Sequence, residues 1–76
     1  MATITLDLAG LKCPLPAMKT KKALATLRTG DRLEVICTDP MAAIDIPHLV
    51  NTTGHRLVAS SRNDDQLSFL IELKSI

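Results

Sequence analysis

One cysteine in this 76-residue chain sits where sulfur chemistry is possible. Cys13 is followed by Pro14, Leu15 and Pro16, a Cys-Pro-x-Pro run between a strand-like stretch and a helix-like stretch. Proline suits the first helical position, where its fixed φ is an advantage and its missing N–H costs nothing. The residue before a proline is pushed into extended geometry, which is the geometry of an N-cap. The spacing therefore predicts Cys13 as the N-cap. Its sulfur would lie beside unpaired backbone N–H groups, with Leu15 keeping its donor between the two prolines, and at the positive end of the helix dipole. That setting favours the thiolate, which is the reactive species. The plain structural alternative is an inert, half-buried cysteine.

The other chemistry-bearing residues do not form a constellation. Cys37 falls on the inward parity of a strand, which assigns it to the core; its functional alternative is a resolving thiol for Cys13. His48 lies on the second helix, and His55 starts the third strand at the far end of the sheet from Cys13. A Cys–His nucleophilic pair needs hydrogen-bond contact, which this placement does not give. One exposed cysteine and two scattered histidines do not supply the four ligands of a zinc site, so no metal and no cofactor is expected. Gly-rich phosphate loops, a Ser-His-Asp set and paired carboxylates are absent from the sequence.

Net charge is +1, but it is unevenly spread. Residues 8–30 hold five cations (Lys12, Lys19, Lys21, Lys22, Arg28) and no acid, whereas the rest holds four cations against eight anions, net −4. The positive charge gathers on the helix that Cys13 opens, where it would lower the thiol pKa further and steer acidic partners. Lys19 and Lys22 are the candidate docking residues, although a lysine run is also what any solvated helix face looks like. Both are expected in the N-terminal half of the helix, where cations oppose its dipole. A single aromatic, Phe69, argues against a stacking platform for single-stranded nucleic acid. The opening residues run straight into a strand pattern with no apolar leader, and no apolar run reaches membrane-spanning length. With two cysteines, the expectation is the reducing cytoplasm.

The elements that must position Cys13 follow from periodicity. The chain length gives one domain, residues 1–76. Thr3 to Leu8 alternates as a half-buried strand with Ile4, Leu6 and Leu8 inward, and Gly10 turns the chain. Pro14 to Leu27 reads as a helix with Ala17, Thr20, Ala23, Leu24 and Leu27 on one face, stopped by Gly30. Asp31 to Thr38 is a second strand. Asp39-Pro40 repeats the N-cap–proline device, but Pro47 should break a helix. A short turn over Pro40–Ile44 and then a helix from an Asp45 N-cap to Thr53 is expected, ended by Gly54. Arg56 to Ser61 and Gln66 to Ile76 are strands joined at Asn63-Asp64-Asp65 as a hairpin.

The order βαβαββ gives an α/β two-layer sandwich: a mixed four-stranded sheet with two helices on one face. Ile36, Val58 and Leu70 then fall on the uncovered face. Sites in parallel α/β units form beyond the carboxyl ends of strands, and Cys13, Asp39 and Pro40 all lie at that end.

Gly10-Leu11-Lys12-Cys13-Pro14-Leu15-Pro16, with Gly30-Asp31, Thr38-Asp39-Pro40, Asp45-Ile46-Pro47 and Gly54-His55, resembles the TusA/SirA-like sulfur carrier proteins. The resemblance spans nearly the whole chain. It implies the same βαβαββ fold and a motif cysteine, here Cys13, that carries sulfur as a persulfide between proteins. Lys12, Pro14, Leu15 and Pro16 are then the supporting motif. Asp39 and Asp45 match acidic positions that recur in the family, with no chemistry assigned to them. The resemblance also implies a cysteine desulfurase or rhodanese as donor. A sulfur-relay protein of tRNA 2-thiouridine formation or of sulfur oxidation is the implied acceptor, with no direct nucleic acid or membrane contact. On that reading the chain is a sulfurtransferase-type carrier rather than an independent catalyst. Two other classes stay open on the residues alone. One is a dithiol redox protein using Cys13 and Cys37; the other is an RNA-binding or regulatory module, since the fold is similar to that of an RNA-binding translation initiation factor domain.

Overall fold

In the computed structural model, which describes residues 2–74, six elements follow the expected order. They are β1 (Thr3–Asp7), α1 (Leu15–Leu24), β2 (Arg32–Cys37), α2 (Ala42–Thr53), β3 (Arg56–Asn63) and β4 (Gln66–Glu72). The four strands form one mixed sheet in the order β1-β2-β4-β3. β1 runs parallel to β2, with Thr3 opposite Arg32 and Asp7 opposite Ile36. β4 lies antiparallel to both β2 and β3.

Alternation puts Leu33, Val35 and Cys37 of β2 and Leu67, Phe69 and Ile71 of β4 on one face, all buried. Over this face pack Leu24 of α1 and Ala42, Ile46 and Val50 of α2. The two helices also touch each other, so the molecule is a two-layer α/β sandwich with both helices on one side of the sheet. The β3–β4 hairpin turns on Asp64-Asp65, where Asp64 takes a left-handed φ of 54°, a conformation aspartate tolerates.

Several boundaries differ from expectation, each for a physical reason. α1 ends at Leu24 rather than Leu27 because its last turn tightens: the Thr26 and Leu27 N–H groups bond three residues back, to the Ala23 and Leu24 carbonyls. Lys21 and Lys22 therefore occupy the last helical turn, where cations favour the dipole; the expected opposition does not hold for Lys22. α2 is a single helix running through Pro47, not a helix starting at an Asp45 cap. The turn before it exists, with Ala43 and Ile44 N–H groups bonded to the Pro40 and Met41 carbonyls, but it flows into the helix. The 42/46/50 stripe is buried, and burying Ile46 and Val50 contributes about 1.5–3 kcal/mol each. Together these offset the roughly 3 kcal/mol of an internal proline. Gly54 ends α2 in the left-handed region at φ 81°, as expected.

Ile4 is more exposed than its inward parity implied, because β1 is an edge strand and Ile4 lies near its start. β3 extends two residues further than expected, to Asn63, and is irregular between Leu57 and Ala59. Val58 sits at that bulge instead of continuing the ladder; Ile36 and Leu70 are half-buried on the open face. β4 ends at Glu72, although pairing persists one residue on, where Leu73 accepts from Gly30 N–H and donates to the Asp31 carbonyl. The last two residues of the expected strand lie outside the described residues.

Candidate functional site

The loop that carries Cys13 is tied to the end of β2 along its length. Leu8 N–H donates to the Ile36 carbonyl at 2.8 Å, and Gly10 N–H donates to Thr38 Oγ1 at 2.9 Å. Gly10 makes the turn at φ 87°, a conformation that suits glycine, and Leu11 N–H closes it onto the Leu8 carbonyl. Cys13 N–H donates to Asp39 Oδ2. The same carboxylate accepts Met41 N–H at 3.0 Å through Oδ1, so Asp39 joins the Cys13 loop to the start of α2. Both bonds favour the ionised form, Cys13 first, and hold the Asp39 carboxyl below its ordinary value, with Lys12 assisting.

Cys13 is not the N-cap of α1. Pro14 occupies that position, after a cis Cys13–Pro14 peptide, and no side chain caps the helix. The Leu15 N–H expected to face the sulfur is bonded instead to the Lys12 carbonyl at 2.9 Å. Pro14 closes the first turn by accepting Met18 N–H. Pro16 is buried, and its carbonyl accepts the buried Thr20 hydroxyl at 2.7 Å.

The exposed sulfur turns toward α2. Its thiol donates to Asp45 Oδ2 at 3.1 Å. This contact, together with some desolvation and the negative charges of Asp45 and Asp39, pushes the Cys13 thiol above its ordinary value. The expectation of a depressed pKa is therefore overturned. Hydrogen bonding to the neutral form and two nearby anions outweigh the lysines, because Lys19 and Lys22 point into solvent from α1 while the carboxylates touch the loop itself.

Asp39 and Asp45 are the residues whose role the sequence reading missed. A signal was present: both follow β2, the strand parallel to the one that ends at the Cys13 loop, so both emerge at the same end of the sheet. Leu15 and Met18 on α1, and Met41 and Ile44 at the start of α2, are exposed apolar residues close in sequence to Cys13, Asp39 and Asp45. Lys12, Lys19 and Lys22 are exposed nearby in sequence. Cys37 is fully buried and free, its thiol pushed up by burial and then by Asp39. His48 is exposed, while His55 accepts Lys74 N–H at Nδ1 over 3.1 Å. Among the described residues no group of three His, Cys, Asp or Glu side chains is placed to hold a metal ion, and no helix is long and apolar enough to cross a membrane.

A family model described as Sulfurtransferase TusA matches residues 4–73. A candidate sulfur carrier protein of Neisseria meningitidis serogroup A is 42% identical over 74 residues, covering 97% of this chain and all of that protein. The sulfur carrier protein TusA of Allochromatium vinosum is 39% identical over 67 residues, 88% of each chain. The crystal structure of a SirA-like protein from Desulfitobacterium hafniense superposes with a TM-score of 0.82 over 95% of this chain and 99% of that one. At 23% identity that likeness speaks for the fold.

Proposed function

The chain belongs to the TusA sulfurtransferase family, and on that premise we propose that Cys13 carries sulfur between proteins as a persulfide. The observation that carries the reading is an exposed thiol on a loop pinned at both sides, with its N–H and Sγ each held by a carboxylate from α2 or its lead-in turn. A relay needs a sulfur that two successive partners can reach from solvent, held in one place.

In the loading step, the Cys13 sulfur attacks the outer sulfur of a donor cysteine persulfide. A new bond forms to Sγ, the donor's S–S bond breaks, and the donor cysteine leaves with the electron pair and takes up the proton. A second protein's thiol removes the outer sulfur by the same exchange. A cysteine desulfurase or rhodanese is the donor on this reading. A relay protein of tRNA thiolation or of sulfur oxidation is the acceptor, and the cytoplasm is the compartment. The chain is a carrier, with catalysis left to its partners. Lys19 and Lys22, with the exposed Leu15 and Met18, supply the docking ground. Lys12, Pro14 and Pro16 shape the loop. The dithiol alternative requires Cys37, which has no solvent exposure.

Incubation with a cysteine desulfurase and cysteine, followed by intact-mass measurement, tests the proposal. The native chain gains one sulfur atom. Cys13→Ser gains none and keeps its fold. Loading that persists in the variant, or sulfur found on Cys37 alone, overturns the assignment.

A further inference from the structure

The 3.1 Å contact from Cys13 Sγ to Asp45 Oδ2 depends on the thiol hydrogen. Once a sulfur atom is attached, Sγ has two heavy-atom neighbours and no hydrogen to give. The bond is lost, and sulfur lone pairs face carboxylate lone pairs. The outer S–H of a persulfide is more acidic than a thiol, so any charge it takes up stands close to Asp45. Asp39 adds a second anion from the turn before α2, its own oxygens committed to Cys13 and Met41 N–H groups. Lys12, on the same loop as Cys13, is the cation that acts on Asp39. The empty state is therefore stabilised at this contact and the loaded state is not.

We propose that Asp45 sets the direction of sulfur transfer at Cys13: it favours the empty thiol over the persulfide and makes the loaded chain a ready donor. This rests on the carrier reading. In the unloading step an acceptor thiolate attacks the outer sulfur of Cys13–Sγ–SH. A new S–S bond forms on the acceptor, the Sγ–S bond breaks, and Sγ leaves with the electron pair. Sγ takes up the proton that the acceptor thiol gave up and, as a thiol, again donates a hydrogen bond to Asp45 Oδ2. One sulfur atom moves, with no net oxidation or reduction. The bias holds while the empty sulfur is protonated. Above the thiol's pKa the empty sulfur is a thiolate with no hydrogen to give Asp45, both states are anions beside the carboxylates, and the bias is lost.

The test equilibrates the native chain, Asp45→Asn and Asp45→Ala with glutathione persulfide and glutathione at one fixed ratio, without oxygen. Intact mass then gives the persulfide-to-thiol ratio on Cys13. At pH 7 both variants should hold sulfur roughly threefold to tenfold more than the native chain, the equilibrium equivalent of one hydrogen bond. The difference should shrink as the pH is raised past the thiol's pKa. Thermal unfolding identifies which variants are folded, and either one decides. If neither folds, the native chain is compared across pH with an N-acetylated, C-amidated Leu-Lys-Cys-Pro-Leu-Pro peptide, which carries no carboxylate and should retain more sulfur at pH 7. Equal or lower sulfur retention in a folded variant, or equal or lower retention in the peptide, overturns the role of Asp45 alone. A native chain that takes no sulfur overturns the carrier reading itself.

Discussion

Ile46 follows Asp45 on α2 and has no solvent exposure, whereas Ile44, two residues earlier on the same helix, is 65% exposed. The pair isolates what burial contributes to holding Asp45 over the Cys13 loop. Ile46→Ala removes three carbons from the core, at about 0.8 kcal/mol each for the transfer term, about 2.4 kcal/mol in all. The cavity left between α2 and the sheet adds to this, for a loss of about 3–4 kcal/mol. A domain of this length has a total stability of about 4–11 kcal/mol, so the substitution removes a large share of it. At about 4–8 °C per kcal/mol, the midpoint of thermal unfolding should fall by roughly 12–30 °C. Ile44→Ala should stay within about 0.5 kcal/mol of the native chain. Urea unfolding followed by far-ultraviolet circular dichroism suits a chain that has no tryptophan. The slope against urea should be common to all three proteins, so that the midpoints carry the difference. A loss below about 1 kcal/mol for Ile46→Ala, or an equal loss for Ile44→Ala, would refute the assignment of α2's packing face.

Other outcomes follow from the same geometry. Asp45→Ala removes the largest cause of the raised Cys13 value, so iodoacetamide near pH 7 should alkylate Cys13 several-fold faster, each pKa unit being a factor of about ten. Mass spectrometry of the Cys13 peptide reads this, and an unchanged rate would count against the contact. Asp31 and Asp39 are both held below their ordinary values, first by the Arg28 N–H and the Cys13 N–H respectively. Their contribution is present above the unfolded carboxylate value near 4 and is lost as the pH falls through the lower folded values. Thermal midpoints measured from pH 7 down to pH 3 should therefore drop more steeply at the acid end for the native chain than for Asp39→Asn; parallel curves would remove the Cys13–Asp39 link from the account.

The fold was largely legible because its signals are local. Leu67, Phe69 and Ile71 alternate strictly, and the three inward residues of β2 do the same. Gly54 and the Asp64-Asp65 turn punctuate the chain where sequence rules place such residues. Pro47 misled because the rule it obeys is local while its compensation is not: the helix continues on the strength of Ile46 and Val50 against the sheet. The position of Cys13 could be read from Cys-Pro-x-Pro, but its environment could not. The two groups that govern it lie 26 and 32 residues further along. Proline spacing pointed to backbone N–H groups as the sulfur's neighbours; the turn that Lys12 makes with Leu15 took that donor away, and parallel pairing of β1 with β2 brought carboxylates in its place.

The place of β4 between β2 and β3 has a consequence for biosynthesis. β4 emerges from the ribosome after the other three strands. Until then β3 has no partner, since its ladder is with β4 alone, and β2 presents one bare edge. The βαβ half with the Cys13 loop can begin to form, but Leu33, Val35 and α2 lack the Leu67, Phe69 and Ile71 layer they pack with. Sheet closure through such a late, non-local strand is slow relative to helix formation. A nascent chain halted before residue 66 would thus display the thiol on a scaffold without its central beam, and a nascent-chain crosslinking series should find Asp45 settling against Cys13 only once β4 has cleared the exit tunnel.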